Sequence, residues 1–189
     1  MRRLLRYLSD SFNLVMALAV LVALAVMIRI GDSQNDKTPP GSPVDLERKL
    51  ATVIAISDGD SMTVRLAGEE ISVRVSGIDC PEFGQAFARE ATEFTSKLCL
   101  NAEIQIQQTD TDRYGRIVAF VFVGELNLSK ELLRNGLTWH FKRYDKSPEF
   151  ANLERKAQDQ RVGLWSAPDP VPPWDWRANL GADWKAGSK

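Results

Sequence analysis

The sequence predicts a mainly β chain with helices (α+β): a five-stranded barrel carrying about three helices, preceded by one transmembrane helix. Three features point there. Short runs of alternating apolar and polar residues succeed one another between residues 49 and 76, separated by turn signals. A stretch of helical periodicity comes after the third run, and an uncharged apolar run lies near the N-terminus. At 189 residues, 44% hydrophobic and 26% charged, the chain has the composition of one ordinary globular domain with an appendage.

The appendage comes first. Residues 14–28, LVMALAVLVALAVMI, carry no charge and no polar face. Counted from Phe12 to Ile30 the run is about 19 residues, or about 28 Å of helix, close to the hydrocarbon thickness of a bilayer. Arg2, Arg3 and Arg6 precede it, so the positive-inside rule keeps the N-terminus in the cytoplasm and exports the chain beyond Ile30. An uncleaved signal anchor over residues 1–30 is the expected reading. A removable signal peptide cut near Ala23-Leu24-Ala25 is the alternative, and would release the protein. Residues 31–44, rich in Pro, Gly and polar side chains, read as a linker.

The folded domain is expected over residues 45–166. Residues 49–57 form a first strand, Asp58-Gly59-Asp60 a turn, and Met62, Val64 and Leu66 the apolar face of a second. After Ala67-Gly68-Glu69 a third strand alternates Ile71, Val73 and Val75 with Ser72, Arg74 and Ser76, which leaves Arg74 on the wetter face. Phe87, Ala91, Phe94 and Leu98 predict a helix over 84–100. A short strand at 103–107 and the apolar strand IVAFVFV complete the sheet. Two further helices come next, one over 128–135 stopped by Gly136 and one entered through Ser147-Pro148. Five short strands with a helix inserted after the third suggest an oligonucleotide-binding (OB) barrel.

From residue 45 onward there are 19 Lys and Arg against 22 Asp and Glu, so any affinity for nucleic acid must come from a local site. Such a site is suggested where Asp60 begins the second strand and Asp79 ends the third. Two aspartates without histidine make a hard oxygen-donor pair suited to calcium or magnesium. Glu82 adds a third carboxylate, which is tolerable only if cations sit among the three. Fully extended, Arg74 and Asp79 would stand about 17 Å apart, so a bend at Gly77 is required for them to share a ligand. With Arg116 from a distant loop, the set comprises a metal on Asp60 and Asp79, a base in Glu82 and two guanidiniums. That set matches a phosphodiester whose transition state gains negative charge.

Several separate blocks carry a family resemblance: DGDS at 58–61, VRVSGIDCPE at 73–82, FTSKL on the first helix, DRYGRIVAF at 112–120, LLRNGLTWHFKRY at 132–144 and GLW at 163–165. In order and spacing they resemble the staphylococcal nuclease-like, or thermonuclease, family. The resemblance implies calcium-dependent cleavage of DNA and RNA, with single-stranded or frayed ends preferred, by a monomer. It places Asp60, Asp79 and the backbone carbonyl of Cys80 on Ca2+, makes Glu82 the general base and makes Arg74 and Arg116 the phosphate-binding arginines. Tyr114 and Tyr144 would line the nucleotide pocket, and Arg113 would meet a terminal phosphate. Ser61 and Cys80 depart from the family's usual residues but keep a hydroxyl and a backbone carbonyl. The segment FGQAFARE is short beside the basic loop of the founding member, which implies weaker hold on long substrates.

The implied protein is a membrane-anchored nuclease with its domain on the outer (periplasmic or extracellular) side. The competing readings are a non-catalytic OB-fold nucleic-acid-binding module and an envelope interaction protein. His140 is expected at a packing or surface position rather than as a base, and Trp139 and Phe141 are expected in the core. Cys99 is expected as a small hydrophobe on the helix, with a Cys80–Cys99 disulfide the lesser alternative. The tail over 167–189, with four prolines and three tryptophans, is expected to lay its aromatics on the domain surface.

Overall fold

A computed structural model describes residues 47–179. The expected anchor and linker lie outside the described residues. Among those residues no helix is long and apolar enough to cross a membrane.

Among the described residues there are eight strands: β1 (Arg48–Ile56), β2 (Ser61–Leu66), β3 (Glu69–Val75), β4 (Ile78–Asp79), β5 (Glu103–Thr111), β6 (Ile117–Val123), β7 (Leu126–Asn127) and β8 (Trp139–His140). Helices α1 (Ala88–Cys99), α2 (Leu128–Arg134) and α3 (Pro148–Gln160) are followed by a 3-10 turn, Gly163–Ser166, and a helical segment, α4, at 173–179. The sheet runs β3-β2-β1-β5-β6-β7, and a parallel pairing of β3 with β6 closes it into a five-stranded mixed barrel. Alternation fills that barrel. Ala51, Val53, Met62, Val64, Val73, Val75, Ile104, Ile106, Ala119 and Val121 point inward and are buried, each larger side chain contributing about 1.5–3 kcal/mol.

Local chemistry sets the helix limits. Helix α1 starts four residues later than its periodicity predicts, because Gly84 and Phe87 adopt φ of +83° and +66°, outside the helical region. Its buried face is Ala91, Thr95 and Cys99, with Phe87, Phe94 and Leu98 packed half-buried beside the core. Asn127 caps α2 through its side chain, and the Ser147 hydroxyl accepts from Phe150 N–H at the start of α3, as Ser147-Pro148 predicts.

Three expectations are corrected. Strand β5 runs four residues beyond 107, because Gln105 to Thr111 pair with β6 across an irregularity at Gln108/Asp110. Strand β3 ends at Val75, and Asp79 belongs to β4, whose partner is β8 (Asp79 opposite Trp139). Trp139 and Phe141 lie half-buried at the domain surface instead of in the core, and Trp174 from α4 covers them.

The bend between β3 and β4 is made at Gly77, with φ of +80°. A Cβ at that position would lie 2.7 Å from Cε2 of Phe150 on α3. Gly77 is thus required twice, for its left-handed backbone and for the close approach of a helix. Gly77→Ala is expected to lower the free energy of unfolding by about 1–3 kcal/mol, measured by urea denaturation. Gly68→Ala, at φ +92° with nothing within 4 Å of the added carbon, should cost less.

Candidate active site

The site is built at one end of the barrel from strand ends and turns. Asp58, Gly59 and Asp60 form the β1–β2 turn, with Asp58 Oδ1 accepting from Asp60 N–H at 3.0 Å and Ser57 N–H donating to the Ser61 carbonyl at 2.9 Å. Helix α1 pins this turn, since Thr95 Oγ1 donates to the Gly59 carbonyl at 2.7 Å. A Cβ on Gly59 would lie 2.8 Å from both Ala91 Cβ and Cys80 Sγ, so glycine is what lets helix, turn and β4 meet. The Asp60 carbonyl accepts from Val75 N–H at 2.8 Å, tying the turn to the end of β3.

Arg74 stands opposite Ser61 in the β2–β3 register. Its Nη1 donates to Asp60 Oδ1 at 2.9 Å and its Nη2 to Asp79 Oδ1 at 2.5 Å. The bend at Gly77 does what the spacing requires: it turns the chain so that one guanidinium spans two carboxylates. Arg74 lies on the wetter face of β3, as expected, at 19% side-chain exposure between the buried Val73 and Val75, while Asp60 and Asp79 are 2% and 1% exposed. Asp60 also accepts from Cys80 N–H at 2.6 Å and Ser61 Oγ at 3.1 Å. Glu82 lies at the rim, its N–H donating to Gln85 Oε1 at 2.9 Å.

A second guanidinium closes the cluster, and it is not the expected one. Arg177, from α4, donates through Nη2 to Asp79 Oδ2 at 2.7 Å, through Nη1 to Asp79 Oδ1 at 3.4 Å, and also to Glu82 Oε1. Arg116 pairs instead with Asp112, its Nε donating to Oδ2 at 2.7 Å. It precedes Val118, the β6 partner of Arg74, by two residues, so alternation puts it on the same barrel face as Arg74 but one step along it. The loop side chains Arg113 and Tyr114 associate with each other, Nη2 to the Tyr114 hydroxyl at 2.6 Å with the guanidinium 4.8 Å from the ring centre. Tyr114 and Tyr144 are both exposed, and Tyr144 packs edge-on to Phe141 at 4.9 Å. His140 is buried, its Nε2 hydrogen-bonded to Asp145 Oδ1 at 2.8 Å, and it packs as expected. Cys80 and Cys99 are separate buried thiols. Burial pushes Cys99 up to about 12 and Cys80 well above the usual thiol range.

Arg177 escaped sequence reasoning, yet a faint signal was present. Trp174 and Arg177 are three apart after Pro172-Pro173, a spacing that puts an aromatic anchor and a cation on one face of a short helix.

The donor chemistry fits a hard cation. Asp60, Asp79 and Glu82 bring three negative charges against two guanidiniums, and all the side-chain donors are oxygens. Among the described residues no group of three or more His, Cys, Asp or Glu side chains forms a metal cage by itself. Burial, reinforced by Asp58 and Asp79, pushes the Asp60 carboxyl up to about 7 against the opposing pull of Arg74 and the Cys80 N–H.

A raised carboxyl binds its proton more tightly when folded than when unfolded. Its contribution to stability is full below about pH 4 and is lost as pH rises through about 7. In chelator, the melting temperature is expected to fall between pH 5 and 8, and Asp60→Asn should flatten that slope. A parallel pH dependence in the two proteins would exclude Asp60 as its source.

Comparison with known proteins bears on the family. The model of the family described as staphylococcal nuclease homologue matches residues 72–167. That span includes Arg74, Asp79 and Glu82, while Asp60 precedes it and Arg177 lies beyond it. A protein named as a probable staphylococcal-like nuclease of Oryza sativa subsp. japonica is 37% identical over 125 residues, covering 66% of this chain and 32% of its own length. The chain thus spans about a third of the plant relatives it matches. Proteins named as uncharacterized endonucleases are 33% identical in both Haemophilus influenzae, over 69% of this chain and 74% of theirs, and Escherichia coli, over 66% and 82%. The barrel, the carboxylate end and these matches agree: the chain belongs to the staphylococcal nuclease homologue family.

Proposed function

We propose that the protein is an exported, membrane-anchored, calcium-dependent nuclease that hydrolyses phosphodiester bonds in DNA and RNA. One observation carries this reading: Arg74 forked between two buried aspartates, with Glu82 at the rim beside them, in a member of this family. The names of the relatives, nuclease and endonuclease, support the reaction class.

Asp60, Asp79 and the Cys80 carbonyl are the groups that would hold the calcium ion, leaving other positions to water and substrate oxygens. When bound, the ion supplies Lewis-acid polarisation of a phosphate oxygen and neutralises charge that develops there. The remaining work falls to side chains. Glu82, exposed enough to meet solvent, accepts a proton from water as the water oxygen forms its bond to phosphorus and the bond to the leaving oxygen breaks. Arg74 turns its fork from the carboxylates to the phosphate oxygens, where charge accumulates, and Arg116 adds a second planar donor from the same barrel face. Tyr114 and Tyr144 offer exposed rings on which bases can stack, and Arg113 beside Tyr114 suits a terminal phosphate. Recognition by stacking and phosphate contact favours unpaired strands and frayed ends over intact duplex. Export rests on Arg2, Arg3 and Arg6 ahead of the apolar run.

The direct experiment incubates the full chain, purified in detergent, with single-stranded DNA, duplex DNA and RNA in calcium, magnesium or chelator. Cleavage is expected in calcium and not in chelator; full activity in chelator would overturn the metal dependence. Glu82→Gln is expected to keep the fold and lower turnover by about 10²- to 10⁴-fold. A near-normal rate in that variant would remove Glu82 from the mechanism. A reporter fused after Lys189 should be active only outside the cytoplasm, and cytoplasmic activity would refute the topology.

A further inference from the structure

The tail is docked, and its docking ends on the carboxylate cluster. The Pro172 carbonyl accepts from the N–H groups of Asp175 and Trp176 at 3.1 and 3.0 Å, closing the first turn of α4. Trp174 stacks on Phe141 with ring centres 5.4 Å apart and planes 4° apart, and meets Trp139 edge-on at 5.8 Å. Gln85 links the tail to the site: its Oε1 holds the Glu82 N–H, and its Nε2 donates to the Val171 carbonyl at 2.5 Å. One turn beyond Trp174, Arg177 reaches both oxygens of Asp79 and one of Glu82.

Charge and geometry then limit what else can bind. Asp79 Oδ1 accepts from Arg74 and from Arg177, and Oδ2 accepts from Arg177 as well. With Arg177 in place, a divalent cation on Asp79 would stand a few ångströms from a guanidinium, two like charges in a mostly buried site. We infer that Arg177 is a tethered counter-ion that occupies Asp79 and Glu82 and competes with a divalent cation for them. The inference rests on the metal-dependent reading above. It lies in a segment that the family match, ending at residue 167, does not cover.

Competition of this kind is a linkage. If the guanidinium is engaged nine-tenths of the time, the apparent cation affinity is reduced about tenfold, and the cation must loosen the tail by the same factor. The test is calorimetric titration of calcium into the full chain in detergent, beside Arg177→Gln and Trp174→Ala. The second variant frees the tail without touching any carboxylate. Calcium should bind about tenfold more tightly to Arg177→Gln, and more tightly to Trp174→Ala. In the unaltered protein, calcium should speed amide exchange across residues 171–179. Equal or weaker calcium binding to both variants, or slower exchange with calcium, would overturn the competition while leaving metal-dependent cleavage intact. Failure of calcium to bind any of the three proteins would overturn both.

Discussion

Two buried carboxylates that share one guanidinium are the constraint on which the rest depends. An isolated aspartate at 1–2% exposure would cost several kilocalories per mole to ionise, so Asp60 and Asp79 can be charged only with a cation held between them. Arg74 is that cation. Its reach fixes the backbone: β3 must end at Val75, the chain must reverse at Gly77, and β4 must return the Asp79 carboxylate to within 2.5 Å of the Arg74 guanidinium. Phe150 then packs where a side chain on residue 77 would have been, so the third helix of the domain is seated by the same bend. On the other side, Gly59 lets α1 and Cys80 close on the turn that carries Asp60. The barrel supplies apolar stability, and the ion cluster fixes how its open end is arranged.

This dependence explains which parts of the protein could be read from sequence. The barrel strands were legible because each has one face in the core, and a period of two leaves a direct mark on composition. The bend at Gly77 was legible from distance alone, since no extended chain lets residues 74 and 79 share a partner. The start of α1 was not, because the apolar period continues through residues whose backbone turns left-handed before the helix begins. The β4–β8 pair is two residues long on each side, too short to carry a pattern. Trp139 and Phe141 looked like core for their size. They are instead a platform, and the surface that covers them comes from a tail with no periodicity to advertise it.

The candidate site divides along the same line. Asp60, Arg74, Asp79 and Glu82 fall within 23 residues, and the structure gathers them as their spacing suggests. Arg116 and Arg177 are the instructive pair. Arg116 sits in a loop rich in turn residues and pairs locally with Asp112, four residues away, so its motif says where it is but not what it touches. Arg177 has no motif and reaches Glu82 across 95 residues. The spacing of Trp174 and Arg177 after Pro172-Pro173 hints at a short helix with both on one face, but a contact of that range leaves no trace of its partner in local sequence.

The anionic part of the site and its cations are therefore supplied by different levels of the structure. The carboxylates are fixed by strand ends, turns and buried hydrogen bonds, all inside the barrel's cooperative unit. The second guanidinium arrives on a short helix held by the ring contacts of Trp174, the buried Pro173 and a glutamine bond to Val171 just ahead of it, with its side chain 41% exposed. Local opening costs least where few buried contacts are lost, and α4, with Pro173 buried and Trp174 and Trp176 half-buried, loses fewer of them than the barrel strands would. An exchange of the charge that balances Asp79 and Glu82 can thus proceed through the tail alone, with Arg74 still holding the two aspartates together and the barrel undisturbed.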